Sequence, residues 1–231
     1  MSNGFRVFTQ RHLPDPELIA AFKAIPAANI ADCMGRLSAM NSTIRRLSLP
    51  CKDNMVGVAL TVKARAGDNL MVHKALNILT PGDVLVVSND GGNSQALMGE
   101  IMITYAQTRK ASGIVLDGLV RDLYSIQAME FPVYATGSTP AGPFKDGPGE
   151  INVPISCGGM SVMPGDIIVG DGDGVIVIAR QDARALLAEA EKYQLFDSKK
   201  LLATRAGNAD RSWVDRDLAS KQCEIIEDIW R

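Results

Sequence analysis

The chain has 231 residues, 46% of them hydrophobic, enough for one substantial core, and no compositional break divides it. Its 24 basic and 26 acidic residues leave it near neutral without a Lys/Arg block, so the electrostatic footprint of a nucleic-acid binder is missing. Cys33, Cys51, Cys157 and Cys223 form no CxxC, no apolar run approaches the roughly 18 residues of a membrane span, and the start lacks a signal-peptide core, so we expect reduced, mostly buried thiols in a cytoplasmic protein.

Residues 15–25 put Leu18, Ile19, Phe22 and Ile25 at helical spacing, opened by Pro16 and ended by Pro26; a second helix begins near Ala28–Asp32. Met55–Lys63 is a β-branched strand, and Asn69–Leu79 an amphipathic helix closed before Pro81. Pro81-Gly-Asp83 then feeds a buried strand and is echoed by Pro164-Gly-Asp166. The second copy contains Asp171-Gly-Asp173-Gly174, but Val175 and Ile176 fall where a calcium loop needs a ligand and a turn glycine. It reads instead as a turn into a strand over 175–179.

Between the copies lie a Gly91–Ser94 loop, a helix starting near Gly99 with Ile101, Met102, Tyr105, Ala106 and Ala111 at helical spacing, and a strand over 113–117. Residues 137–154 are rich in Gly and Pro and read as an irregular surface crossing, with short strands near 151–156 and 167–178. Residues 181–194 are strong helix formers with Leu186, Leu187, Ala190 and Tyr193 on one side. Trp213 and Trp230 fall in the polar tail beyond, where large aromatics need a covering surface, which hints at a subunit contact. The organisation expected is a single domain over 1–231, with a core at about 28–180 and a helical tail at about 181–231.

The chemistry concentrates around Gly99-Glu100 and Asp117-Gly-Leu-Val-Arg121-Asp122. The Gly-bounded strand before them is expected to end by delivering Asp117, Arg121 and Asp122 into a loop. Arg offers a permanently charged planar fork to a carboxylate, and Asp offers hard oxygens to a divalent cation. A helix beginning at Gly99 points free N–H groups and its positive dipole end at an anion beside Arg121. Singly these signals are weak, since most Arg-Asp pairs cap turns and most lone glycines punctuate chains. Together they read as an anion-plus-metal site. With only His12 and His73, no GxSxG and no GxxxxGK[ST], a hydrolase elbow, a His-rich zinc site and a P-loop are disfavoured.

Asp68-Asn-Leu-Met-Val-His-Lys-Ala-Leu76, Pro81-Gly-Asp-Val-Leu-Val-Val87, Ala96-Leu-Met-Gly-Glu100, Gly113 to Asp122, Phe131-Pro-Val-Tyr134 and Met163 to Val175 together resemble the RraA-like family, over about residues 28–195. That family includes metal-dependent 4-hydroxy-4-methyl-2-oxoglutarate / 4-carboxy-4-hydroxy-2-oxoadipate aldolases. The resemblance implies an α/β fold, a compact β/β/α sandwich of the swivelling-domain type, in a ring-shaped homotrimer with sites between neighbours. A neighbour's acidic residue at the site is not assigned. The resemblance further implies that the backbone of Gly99, Glu100, Ile101 and Met102 holds the pyruvoyl carboxylate of a 2-keto acid. Arg121 then contacts the keto oxygen, and Asp122 binds Mg²⁺ or Mn²⁺. Glu100 stands where relatives often have Asp, in the role of holding metal-bound waters.

The reaction implied is a retro-aldol cleavage in which metal and Arg121 stabilise an enolate and a base near Glu100 takes the 4-hydroxyl proton. Oxaloacetate decarboxylation follows as a side activity. Two alternatives stay open: a protein-binding regulator of ribonuclease E, as some members of the family are, and a Schiff-base aldolase using Lys63 or Lys74.

Overall fold

The structure, a computed structural model, describes residues 4–50 and 54–230; Cys51 falls outside them. The chain begins β1 (Phe5–Val7), α1 (Pro16–Ala21), α2 (Ala27–Cys33), β2 (Arg45–Arg46), β3 (Met55–Ala64), α3 (Leu70–Ile78). It continues β4 (Asp83–Ser88), β5 (Ala96–Met98), α4 (Glu100–Thr108), β6 (Gly113–Val120), α5 (Leu123–Gln127), β7 (Val133–Ser138). The short strands β8 (Gly149–Ile151), β9 (Ile155–Cys157), β10 (Met160–Val162), β11 (Ile167–Gly170) and β12 (Val175–Ile178) precede α6 (Ala183–Arg205) and α7 (Ser212–Ser220).

Ten of the described strands share a sheet with the path β1, β8, β3, β4, β6, β7, β2; β11 pairs with β3 and carries β12 on its other side, and β5 pairs with β6. β9 and β10 form a separate antiparallel pair. The central β3, β4, β6 and β7 are mutually parallel, so the loops leaving their C-terminal ends gather at one edge, where open α/β sheets bind ligands.

Strand β4 shows why the centre reads as an unbroken apolar run. Leu85 and Val87 pack with Val72, Leu76 and Ile103 of α3 and α4, while Val84 and Val86 pack on the other face with Ile168, Val177 and Cys157. Cover on both faces removes the polar alternation of a half-exposed strand. A third cluster joins α1, α2 and the start of α6 to Ile167, Val169, Ile176 and Ile178. The result is a mixed α/β fold with helices and short strand pairs covering one sheet.

The two Pro-Gly-Asp segments are one turn used twice. Gly82 and Gly165 take φ of 88° and 92°, a region open to glycine. Asp83 and Asp166 each accept the backbone N–H three residues earlier, from Thr80 and Met163, both at 2.8 Å. The strands that follow, β4 and β11, flank β3 on its two sides. The Asp171–Gly174 segment is the tight connection between the antiparallel β11 and β12, as expected of a turn.

Several expectations are corrected. β6 runs past Asp117 to Val120, so Asp117 lies inside the strand and not in the loop with Arg121; its Oδ2 accepts the Gly158 N–H at 2.8 Å. α1 ends at Ala21 and a 3-10 turn over Phe22–Ala24 completes that segment. The Gly/Pro-rich stretch contains β8, which pairs with β1 and β3. α6 continues well past residue 194. Of the described cysteines, all free, only Cys157 is buried; burial, with the Asp117 carboxylate adding, pushes its thiol pKa up and holds it protonated.

Contacts divide the chain into Met1–Glu191, which holds every described strand, and Lys192–Arg231. The second unit comprises the C-terminal part of α6 and α7, and exposes Phe196, Leu202, Trp213 and Trp230. Among the described residues no helix is long and apolar enough to cross a membrane.

Candidate active site

Gly99 is the N-cap of α4, in extended conformation at φ −142°, and has no side chain to cap the helix. Strand β5 just before it lies parallel to the end of β6, so the first turn of α4 meets the loop that leaves β6. The Arg121 N–H donates to the Met98 carbonyl at 2.9 Å, tying the two segments together.

Asp122 then turns left-handed, φ 61°, a conformation that Asp tolerates better than most residues. The turn brings its carboxylate back over the helix start, where Oδ2 accepts the Glu100 N–H at 3.0 Å. One orphan amide of the first turn is thereby satisfied, and an anion sits at the positive end of the helix dipole. Arg121 Nε lies 3.8 Å from the same oxygen. A Cβ on Gly99 would stand 2.4 Å from Asp122 Oδ2 and 2.9 Å from Arg121 Cγ. Glycine is required here by close approach, not by backbone angle.

A cavity of about 160 Å³ opens at this junction, with Gly99, Ile101, Met102, Arg121 and Asp122 in its lining. The structure therefore brings these five sequence-predicted residues together. Glu100 contributes its amide to Asp122, and its side chain is exposed. The first-turn amides of Ile101 and Met102 have no intrahelical partner. Asp117 is on the strand interior, as noted, and Lys63 and Lys74 are exposed, outside any apolar pocket that would activate an amine.

The lining also includes Asn69, His73 and Lys145, which sequence reasoning did not select. Asn69 is buried; its Nδ2 donates to the Leu97 carbonyl at 2.8 Å and its Oδ1 has no partner. His73 has its pKa lowered, chiefly by burial and then by the Lys145 charge. The loop carrying Lys145 is clamped to the start of α3 by Asp68. That carboxylate, 1% exposed, accepts the amides of Asp146 at 2.7 Å, Gly147 at 2.9 Å and Leu70 at 2.9 Å. His73 was visible as one of two histidines, within a motif that carries the resemblance. Lys145 gave no signal, because a single lysine in an irregular stretch has no periodicity to read.

Among the described residues no three His, Cys, Asp or Glu side chains gather in one place. A lone, 41% exposed Asp122 carboxylate does not suit a closed zinc site, which needs four protein ligands. It suits Mg²⁺ or Mn²⁺, hard cations that accept carboxylate, carbonyl and water oxygens; Mg²⁺ in particular keeps several waters and takes one or two carboxylates with substrate oxygens.

Residues 27–177, more than half of the chain, match the family described as RraA-like: Aldolase/RraA. A provisionally named 4-hydroxy-4-methyl-2-oxoglutarate aldolase from Halalkalibacterium halodurans is 41% identical over 184 residues, covering 80% of this chain and 87% of that protein. Among solved structures, an uncharacterized protein from Pseudomonas syringae superposes with a TM-score of 0.73 at 22% identity, over 85% of this chain and 96% of the other, a likeness of fold. RraAS2 of Streptomyces coelicolor, described as an unusual member of the RNase ES inhibitor RraA protein family, gives 0.72 at 25% identity, over 82% and 98%.

Proposed function

The chain belongs to the RraA-like family, and from that premise we propose that it is a divalent-metal-dependent lyase acting on dicarboxylic or tricarboxylic 2-keto acids. It cleaves 4-hydroxy-4-methyl-2-oxoglutarate or 4-carboxy-4-hydroxy-2-oxoadipate to pyruvate and a second keto acid. Oxaloacetate decarboxylation accompanies this as a side activity. The observation that carries the reading is the closure of Arg121 and Asp122 onto the first turn of α4 within one cavity.

The pyruvoyl carboxylate lies against the Gly99–Met102 turn, where the amides of Ile101 and Met102 and the helix dipole face it. Arg121 holds the keto oxygen. Asp122 would hold Mg²⁺ or Mn²⁺, which when bound supplies a Lewis acid to the keto acid. A base near Glu100 takes the 4-hydroxyl proton, the C3–C4 bond breaks, and its electron pair moves to C3 and onto the keto oxygen beside Arg121. Protonation at C3 releases pyruvate. In oxaloacetate the same bond breaks with loss of carbon dioxide, and the charge arrives at the same guanidinium.

A homotrimer with sites between neighbours belongs to this reading. In support, Ile101 at the start of α4 is 81% exposed and Tyr124 at the start of α5 is 91% exposed, large apolar surfaces beside the site that an adjoining chain would cover. The test is pyruvate release from 4-carboxy-4-hydroxy-2-oxoadipate and from oxaloacetate by the purified chain, with and without EDTA. The second reading, a ribonuclease-directed regulator, takes its support from the Streptomyces relative; robust metal-dependent turnover with no partner present excludes a vestigial pocket.

A further inference from the structure

We propose that Lys145 sets the substrate class of this cavity: its ammonium receives the distal carboxylate of a dicarboxylic 2-keto acid, which is thereby preferred over the monocarboxylate of equal length. The proposal rests on the reading above only for which end of the ligand reacts.

Three observations carry it. First, Arg121 and Lys145 line the same cavity, and among the described residues that line it the only acid is Asp122. Asp122 already accepts the Glu100 amide and lies against Arg121, so its charge is engaged at the reacting end. A dication there would add positive charge. A keto acid with one carboxylate leaves Lys145 without a counter-charge, and a second carboxylate supplies it.

Second, Lys145 forms no ion pair among the described residues. Its electrostatic neighbour is His73, whose proton affinity the ammonium lowers, so the two side chains address the same space without neutralising each other. Its place in the lining puts the ammonium beside the space a ligand would fill.

Third, its backbone is fixed. Phe144 donates to the Gly67 carbonyl at 2.8 Å and accepts from the Asn69 N–H at 3.0 Å, while Asp68 takes the amides of Asp146 and Gly147. These bonds bracket Lys145 on both sides and hold it to the start of α3. A recognition residue must be held this way to discriminate by position.

The experiment is calorimetric titration in Mg²⁺ of 2-oxoglutarate and of 2-oxopentanoate, which lacks the distal carboxylate, into the parent protein, Lys145→Met and Lys145→Arg. The parent should bind 2-oxoglutarate more tightly. Lys145→Met should weaken that ligand roughly tenfold, the scale of one hydrogen bond between charged groups, and shift 2-oxopentanoate by less than about threefold; Lys145→Arg should keep the preference. Equal weakening of both ligands, no weakening, or a parent that does not distinguish them overturns the proposal. Binding needs no turnover, so failure to cleave any hydroxy keto acid defeats the aldolase reading and leaves this comparison intact. Lys145 is exposed, and a circular dichroism spectrum confirms that the variants fold.

Discussion

Glu100 and Asp122, 22 positions apart, are joined by a 3.0 Å hydrogen bond from the amide of the first to Oδ2 of the second. With Arg121 tied through its own amide to Met98, the helix start and the loop after β6 are joined at one corner. Whatever binds there meets a preset arrangement of amides, guanidinium and carboxylate.

Gly99→Ala should break that corner. The added methyl carbon would stand 2.4 Å from Asp122 Oδ2, and neither Asp122 nor Arg121 can keep its place. The φ of −142° is accessible to alanine, so the fold should persist. We expect kcat for keto acid cleavage to fall on the order of 100-fold, as for an ångström-scale misplacement. Steady-state kinetics beside a thermal melt check this, and an unchanged kcat would show that Arg121 and Asp122 need not touch the helix start.

Arg121→Lys keeps the charge but loses the planar fork. A guanidinium holds an enolate oxygen in fixed orientation, whereas an ammonium is flexible and strongly hydrated. Loss of a donor that matters mainly as charge develops lowers kcat and kcat/KM together, by about 10²–10³-fold. Were Arg121 only paired to its neighbour at the surface, the kinetics would stay within a few-fold of the parent.

Exhaustive EDTA treatment should abolish cleavage and Mg²⁺ or Mn²⁺ should restore it, because one carboxylate with waters retains a metal weakly. Asp122→Ala should match the chelated protein and resist rescue at millimolar metal. Full activity after chelation would remove the metal from the mechanism.

His73 should make stability depend on pH. Its folded pKa lies below the ordinary value near 6.5, so the folded state binds this proton less readily than the unfolded state does. Its contribution is present above that unfolded value and declines as pH falls from about 6.5 toward the lower folded value. Urea midpoints of the parent should drop over that range, and His73→Gln should flatten the drop. An identical slope in the variant would show that the burial of His73 carries no linkage.

The corner was legible in the sequence because Gly99-Glu100 and Arg121-Asp122 are chemically distinctive and each sits within a few residues of an apolar strand. The end of β6 was not, since Gly118, Leu119 and Val120 continue the apolar run; Asp117 follows the parity of Val115 and joins the face of Cys157. The other half of the cavity was hidden for a different reason. Asn69, His73 and Lys145 come together through the Asp68 clamp, whose bonds span 78 and 79 positions, and no local pattern encodes a loop pinned from that distance. The extension of α6 was missed because its added turns expose Leu195, Leu201 and Leu202, so no apolar stripe faces a core.

Strand β3 is paired on both sides over most of its length: Val58–Lys63 with β4, and Met55–Val58 and Val62–Ala64 with β11 and β8 on the other side. Its doubly flanked central amides are the most protected in the sheet, and in deuterated water they should be the last to exchange. The amides of Ile101 and Met102 have no intrahelical partner, belong to residues lining a cavity, and should exchange from the native state. A keto acid seated on them would slow their exchange and leave β3 unchanged, so the protein carries its own internal clock against which occupancy of the site can be read.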